Sequence, residues 1–492
     1  MMTIKRHISF VLALASVMQI SLASCSDLGA NSSSSALYGS STVTAPPSFE
    51  SEDHNGEKFT FLIYNDHATD YTDNYIWVEN SNGNALREAV VNRNIAAEEL
   101  FNIKVTADEV YSPKYEAIVR MQAGQCDFDV MYEWGTRTSS LAIDGLLYDF
   151  KDLEDVDLSR SYWIPSARED LTVGGKMYIA TNYITMNSIG WANFIYFNKT
   201  LYSELGNTDS LYDLVDAKEW TFDKYVDLAV SVSTDIDGDG IMTSADQYGV
   251  WGNVNRCLTD LTRYAGIQNT KKQSDGSYAL SIYSETAVDI YISFKNKLDS
   301  GDVFIDYENI WGEKPDLSAF ASRYKGARFL GFGEGHVLFM PGSMDMTHEF
   351  VEMQDDYGVL PNPLMDSTQE SYYHFVDTNA PMFSIPVQGE KIDTTGKILE
   401  FLAYKSEECL LPAFFETTIK SKRMPDTMDY KMLDIVKNSI KYEWTELYGL
   451  SVTNSVMSKM MTSGSFKSVY NRLASKAKAE IKSCVTTLES YD

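Results

Sequence analysis

A short acidic stretch is the clearest candidate for chemistry in this sequence. Residues 235–246 read DIDGDGIMTSAD, and possible oxygen ligands stand at positions 1, 3, 5, 7, 9 and 12. These ligands are Asp235, Asp237, Asp239, the backbone carbonyl of Ile241, Thr243 and Asp246. Gly240 stands at the sixth position, where a calcium loop of this length turns sharply. Four carboxylates this close repel one another unless a divalent cation neutralises them, so the stretch predicts a calcium site.

The stretch is similar to a calcium loop of EF-hand type, with one departure. EF-hand loops usually end in glutamate, and Asp246 has a shorter side chain, so we expect weaker binding or fewer ligands. Half of a dockerin, the module that docks cellulosomal enzymes, has the same pattern, but a dockerin needs two such loops and we find one. We predict a structural calcium site with no direct part in ligand binding. A solvated acidic turn is the alternative.

Sequence motifs of common catalytic sites are missing. The chain has no Gly-x-Ser-x-Gly elbow, phosphate loop or dinucleotide fingerprint, and its six histidines form no His-x-x-x-His pair. Four cysteines match no zinc pattern and are interpreted as small buried hydrophobic residues: Cys126, Cys257, Cys409 and Cys484. A pair of glycosidase carboxylates stays open, because the chain has 70 acidic residues.

Strands and helices alternate in the part of the chain that follows residue 57. The predicted order is a strand at 59–64, a helix at 85–101 capped by Asn84, a strand from 103, a helix at 115–123 and a strand at 128–132. Such alternation predicts parallel β-α-β units, so we expect an α/β protein.

The N-terminus predicts export. Basic residues precede an apolar run from Ile8 to Ile20, which is shorter than the roughly 20 residues that a membrane-spanning helix needs. We predict a removed signal at 1–24, whose end resembles a bacterial lipobox and implies a lipid on the thiol of Cys25. An ordinary secretory signal is the alternative. Residues 25–56 are rich in Ser, Gly and Pro and are predicted to form a flexible tether.

The net charge of −29 excludes some partners. Such an acidic chain repels phosphate backbones, so we expect no binding to nucleic acid. It also repels anionic lipids, so contact with the membrane is expected only through the lipid anchor.

Several short segments, in one order along the chain, carry a resemblance to a known family. They are Asn84–Val90 with Arg93 and Asn94, Phe128–Met131, Asp144–Phe150, Gly174–Tyr178, Tyr196–Lys199, Lys218–Thr221 and Phe332–Gly335. The chain resembles the extracellular solute-binding proteins of family 1, relatives of maltose-binding protein that serve ABC importers. The resemblance implies a type II periplasmic-binding-protein fold, in which two α/β lobes joined by a hinge hold ligand in a cleft. We expect lobe 1 at about 57–170 and 325–385, and lobe 2 at about 171–324 and 386–492.

The resemblance also places the cleft at strand ends and at the crossings between lobes. Sugar rings stack on Trp and Tyr, while carboxylates, amides and guanidiniums bond their hydroxyls. The candidate ligand-binding residues are Tyr64, Asp66, Glu133, Trp134, Asn187, Trp191, Trp251, Arg256, Asp345, Tyr373 and Trp444. For any of these aromatic residues, packing in the core is the alternative. Trp220, which precedes a predicted helix, is expected in the core.

The function that the resemblance implies is binding, not catalysis. We expect a monomeric, lipid-anchored protein on the outer face of the cell membrane. It would capture a carbohydrate by hinge closure and deliver it to the permease subunits of an ABC importer. A surface glycan-binding or sensory protein without a permease, and a secreted glycoside hydrolase, are the alternatives.

Overall fold

The structure, a computed structural model, describes residues 46–64, 75–298, 302–420 and 427–491. The predicted lipid site Cys25 and the candidate Asp66 lie outside these residues. The strands are β1 Glu57–Tyr64, β2 Ile103–Val110, β3 Val130–Trp134, β4 Phe194–Asn198, β5 Tyr248–Trp251, β6 Thr270–Lys272, β7 Tyr278–Leu280, β8 Phe304–Ile305, β9 Val337–Gly342, β10 Tyr357–Leu360, β11 His374–Phe375, β12 Pro381–Ser384 and β13 Ile440–Lys441. The helices are α1 Ala85–Phe101, α2 Pro113–Gln122, α3 Gly135–Ile143, α4 Pro165–Leu171, α5 Asn187–Gly190, α6 Lys199–Glu204, α7 Leu211–Asp216, α8 Phe222–Val232, α9 Val254–Tyr264, α10 Glu285–Leu298, α11 Tyr307–Gly312, α12 Arg323–Arg328, α13 Ile392–Lys420, α14 Thr427–Asn438, α15 Trp444–Leu447, α16 Ser451–Ser463 and α17 Phe466–Glu489.

The first lobe is built on a four-stranded sheet in the order β12-β3-β1-β2. Strand β1 pairs in parallel with β2 and β3, and β12 runs antiparallel to β3. Phe61, Leu62 and Ile63 of β1 are buried, as expected for a strand covered by helices on both faces. The predicted strand at 59–64 and the predicted parallel units are thus confirmed.

Helix α1 begins and ends at asparagines. The Asn84 side chain accepts the amide of Arg87 at 3.1 Å, and Asn102 ends the helix in the left-handed conformation, with φ of 45°. The buried face of α1 packs against α13, which lies far along the chain. The helix and cap predicted from the sequence are confirmed.

The second lobe is built on a five-stranded sheet in the order β10-β4-β9-β5-β8. Strand β5 is parallel to β8 and β9, whereas β4 is antiparallel to β9 and β10. Trp220 is fully buried beneath this sheet and donates its indole N–H to the carbonyl of Pro361 at 2.9 Å. The prediction that Trp220 belongs to the core is confirmed.

The chain crosses between the lobes on neighbouring segments. Residues Ala192 and Val376 form an antiparallel bridge, and β11 pairs with β13 beside it. The division of the chain differs from the expected boundaries, because β9 and β10, expected in lobe 1, pair with β4 in the second lobe. Strand β12 pairs with β3 in the first lobe. Helix α13 also packs on the first lobe rather than the second. Apolar runs predict strands but do not specify their partners, which hydrogen bonding between distant segments decides.

The last part of the predicted tether is packed against the first lobe. The ring of Phe49 lies 5.0 Å from that of Phe401, and the amide of Glu52 donates to the carbonyl of Leu100 at 3.0 Å. Lys397 pairs with the Glu52 carboxylate at 2.8 Å. The predicted tether, 25–56, therefore extends too far toward the C-terminus, because Phe49 already packs against the first lobe.

Candidate functional site

A cavity of about 300 Å³ lies in the second lobe, at the carboxyl ends of β5, β8 and β9. It is lined by Trp251, Gly252, Asn253, Arg256, Asp306, Tyr307, Glu308, Trp311, Tyr324, Arg328, Pro341 and Met346. These three strands run in parallel, so their carboxyl ends meet at one edge of the sheet. Ligands of open α/β sheets bind at that edge, in the loops that follow the strands.

Aromatic rings form one wall of this cavity. The rings of Trp251 and Tyr307 pack edge to face, with their centroids 5.2 Å apart. The Tyr307 ring stacks on that of Trp311 at a centroid distance of 5.3 Å, and the centroids of Trp311 and Tyr324 are 5.1 Å apart. Gly331 lets the indole of Trp251 approach, since a Cβ there would lie 2.5 Å from the ring. The wall thus gathers four aromatic side chains of the kind on which sugar rings stack.

The two arginines that line the cavity differ in burial and in their partners. Arg328 is buried, pairs with both carboxylate oxygens of Glu349 and donates to the Tyr307 hydroxyl at 2.6 Å. These partners raise its pKa against the cost of burial, so Arg328 is a fixed cation that orients Tyr307. The Arg256 side chain is 61% exposed and lies 3.9 Å from Asp260. Its guanidinium is therefore available to a polar group of a ligand.

The first lobe carries a second aromatic group at the matching edge of its sheet. At or just after the ends of β1, β2 and β3 stand Tyr64, Tyr111 and Trp134, respectively. The centroid of the Tyr64 ring lies 6.3 Å from that of Tyr111 and 5.6 Å from that of Trp134. The Arg137 guanidinium lies 4.3 Å from the Trp134 ring. Tyr111 is 82% exposed, so this edge also offers ring surface to a ligand.

Glu133 is a buried carboxylate next to this aromatic group. It is fully buried, and its carboxylate accepts the amides of Trp134 at 2.9 Å and Lys114 at 3.3 Å. Burial raises its pKa, while these amides and Arg137 oppose that rise. Glu133 thus holds Trp134 in place rather than presenting oxygen to solvent.

The other candidates lie away from the large cavity. Asn187 donates to the Tyr132 hydroxyl, and the Trp191 carbonyl accepts the amide of Asp377, so both belong to the lobe crossing. Trp444 is buried and donates to the Thr270 hydroxyl at 2.8 Å. Tyr373 packs against Gly266, which follows α9 in the chain. Asp345 accepts the Ser343 hydroxyl, and burial raises its pKa to about 6.

Of the lining residues, only Trp251 and Arg256 were predicted from the sequence. The aromatic residues Tyr307, Trp311 and Tyr324 and the buried Arg328 were missed. A signal was present, since Tyr307 and Trp311 are spaced by four on a helix that directly follows the strand Phe304–Ile305. Residues with that spacing lie on one helical face. A strand of two residues is too short to predict from the sequence, so the helix after it was not predicted to lie at a strand end.

The acidic stretch 235–246 forms an exposed loop of the second lobe. Carboxylate oxygens of Asp235, Asp237 and Asp239 lie within 4.8 Å of one another. Asp246 is buried instead, and it accepts the amides of Ile236 at 2.9 Å and Thr243 at 2.7 Å, which lower its pKa. The first three carboxylates fit a divalent cation, while Asp246 closes the loop.

Comparison with known proteins agrees with this architecture. Residues 78–308 match the family model of bacterial extracellular solute-binding proteins. No curated protein matches the chain.

Three solved structures share the fold. A sugar transporter from Rhizobium etli in an open conformation is 14% identical over 88% of this chain and 100% of its own, with a TM-score of 0.52. A cyclo/maltodextrin-binding protein solved with maltotetraose is 13% identical over 89% and 98%, with a TM-score of 0.51. A family 1 extracellular solute-binding protein from Alicyclobacillus acidocaldarius is 10% identical over 88% and 99%, with a TM-score of 0.50.

Two sheets, crossing segments and strand-end loops define a type II periplasmic-binding-protein fold. The resemblance to the extracellular solute-binding proteins of family 1, predicted from the sequence, is confirmed by the family match and by the fold.

Proposed function

We propose that this protein is the solute-binding component of an ABC importer and that its solute is a carbohydrate, such as an oligosaccharide. The observation that carries the proposal is the wall of Trp251, Tyr307, Trp311 and Tyr324 in a cavity that also presents Arg256. Flat apolar rings beside a few polar groups suit a molecule with apolar C–H faces and hydroxyl edges. The maltotetraose held by one structural neighbour is of this kind.

Uptake would proceed by closure of the two lobes. A solute seated on the second-lobe wall would gain contacts with Tyr64, Tyr111 and Trp134 when the lobes approach, which stabilises the closed form. The permease would then recognise that closed form. No chemical step on the solute is needed.

A screen by thermal shift against a panel of glycans that includes maltotetraose tests the proposal. We expect at least one glycan to raise the melting temperature, and calorimetry should show roughly tenfold weaker binding in Trp311→Ala. Tyr470→Ala is the matched control, because Tyr470 stacks on Tyr283 at 4.6 Å but does not line the cavity. Failure of every glycan to bind, or hydrolysis of the bound glycan on long incubation, would refute the proposal.

Lipid anchoring at Cys25 is part of the same proposal. The lipobox-like end of the predicted signal supports it, and a tethered binder stays near its permease at high effective concentration. In cells, the protein should sediment with membranes and incorporate labelled palmitate. Cys25→Ser should abolish both, whereas Cys126→Ser should change neither.

Calcium at the acidic loop is a separate proposal. The three convergent carboxylates of Asp235, Asp237 and Asp239 support it, together with the carbonyl of Ile241 at the expected position. A chelator should lower the melting temperature of the wild-type protein and leave that of Asp237→Ala unchanged. Asp275→Ala is the control, since Asp275 also caps an exposed turn, by accepting the amide of Ser277 at 3.0 Å, but lies outside the cluster. Equal responses of all three proteins would contradict calcium binding.

A further inference from the structure

A second, smaller cavity adjoins the large one on the side of the lobe crossing. Its volume is about 10 Å³, and it is lined by Asn193, Arg256, Asp260, Arg263, Tyr264, Pro341, Asn362 and Phe375. Arg256 and Pro341 line both cavities, so the two cavities are neighbours. A cavity of this volume can hold one water molecule or one hydroxyl group, provided that polar groups are present to bond it. We call it the inner chamber.

Asn362 presents an unsatisfied acceptor to the inner chamber. The residue is 3% exposed, and its Oδ1 has no hydrogen-bond partner. Its Nδ2 donates to two backbone carbonyls, those of Tyr373 at 2.9 Å and Asn193 at 3.2 Å. Because both acceptors are carbonyls, the amide cannot be turned around, so the unpaired atom is Oδ1 of a residue that lines the chamber. A buried carbonyl oxygen without a donor is costly and rare.

The remaining polar residues that line the chamber are Asn193, Arg256, Asp260, Arg263 and Tyr264. Asp260 lies near Arg256 at 3.9 Å, and Arg263 pairs with Glu446 at 2.5 Å. A group that entered here would meet acceptors in Asn362 and Asp260 and a donor in Arg256. An apolar group would leave Oδ1 unpaired. A neutral O–H group can donate and accept at once, and so fits both.

We propose that the inner chamber takes a single O–H donor, from the bound solute or from an ordered water, and that Asn362 is the residue that selects it. The proposal rests on the solute-binding function and adds a specificity element to it. A solute whose inner end displaces the water without supplying this donor would bind roughly tenfold more weakly, because the buried acceptor would stay unpaired. Asn362 also connects the site to the hinge, since its amide holds carbonyls on both crossing segments.

Crystal structures of the protein without solute and with maltotetraose test the proposal. Without solute, we expect one ordered oxygen within hydrogen-bond distance of Asn362 Oδ1. With maltotetraose, a sugar hydroxyl in its place identifies the solute as the donor, and a retained water identifies water as the donor. A chamber that is empty in the structure without solute overturns the proposal.

Two variants of Asn362 give a matched comparison. Both Asn362→Leu and Asn362→Asp lose the bonds to the carbonyls of Asn193 and Tyr373, but only the aspartate keeps an oxygen acceptor. We expect the ordered oxygen in Asn362→Asp and not in Asn362→Leu, and its persistence in Asn362→Leu overturns the proposal. If neither variant folds, the wild-type structure without solute still decides. If no glycan binds, the proposed function fails, while that same structure decides on the chamber independently.

Discussion

Single residues fix the aromatic wall of the cavity. Gly331 admits the Trp251 ring to a space that any Cβ would fill, and Arg328 holds the Tyr307 hydroxyl at 2.6 Å. The wall is therefore pre-formed by close packing and by a charged hydrogen bond, so a ligand need not order it on binding.

Gly331→Ala tests that packing. A methyl group 2.5 Å from the indole must displace Trp251, so we expect a loss of about 1–3 kcal/mol in the free energy of unfolding. Weaker glycan binding and a shifted Trp fluorescence maximum should accompany it. Gly312→Ala is the control, because a Cβ there meets nothing within 4 Å. Equal behaviour of the two variants would show that Gly331 has no special role.

Asp345 should make stability depend on pH. Burial raises its pKa from 3.8 to about 6, so the folded protein holds the proton more tightly than the unfolded chain. Its contribution to stability is therefore full below pH 3.8 and is lost as the pH rises through 6. Asp345→Asn removes this dependence and keeps an acceptor for Ser343. The melting temperature of the wild type, relative to the variant, should fall from pH 4 to pH 7. A constant difference would contradict the raised pKa.

At the scale of elements, the six-residue helix α11 carries the wall. Asp306 caps it by accepting the amides of Glu308 at 3.0 Å and Asn309 at 3.3 Å, and the Asn309 side chain accepts the amide of Asp306 in return. Asn253, which caps α9, also donates to Asp306 at 3.2 Å. So short a helix depends on its caps, and this cap joins both helices that border the cavity.

Asp306→Ala should therefore affect both stability and binding. We expect a loss of about 1 kcal/mol from the missing cap, together with weaker glycan binding because α11 and its rings lose their anchor. Asn84→Ala removes a comparable cap from α1 in the first lobe and should cost similar stability without changing affinity. Chemical denaturation and calorimetry measure the two effects. Unchanged affinity in Asp306→Ala would show that the cap is not needed to position the aromatic wall for binding.

The whole molecule is arranged so that two sheet edges carry aromatic groups and neighbouring crossing segments join the lobes. The C-terminal segment adds a further link, because α15 packs on α3 of the first lobe while Glu446 of α15 pairs with Arg263 of the second. This arrangement permits rotation about the crossings near Ala192 and Val376 with little change within either lobe.

Closure should be visible in solution. The glycan that raises the melting temperature most should reduce the radius of gyration measured by small-angle X-ray scattering, because bound solute favours the approached lobes. Trp251→Ala, measured at the same glycan concentration, should show a smaller decrease. An unchanged radius in the saturated wild type would argue against closure.

Much of the local structure could be predicted from the sequence. Helix α1, its Asn84 cap, strand β1 and the buried Trp220 follow from apolar spacing and capping, which involve neighbouring residues only. The assignment of β9 and β10 to the second lobe could not be predicted, since both pair with β4, which lies far earlier in the chain. Trp444 shows the same limit, because its indole packs on residues near Thr270.

The sequence by itself determined the α/β alternation, the acidic loop and the presence of aromatic residues after strands. The tertiary structure decided which aromatic residues share a cavity. It brought Tyr307 and Trp311 to Trp251 and placed Asn362 and Arg256 in the lining of one small cavity. The physical reason is that the cavity is assembled from loops at the ends of three strands. Their order in the sheet depends on hydrogen bonds between segments that are remote in sequence.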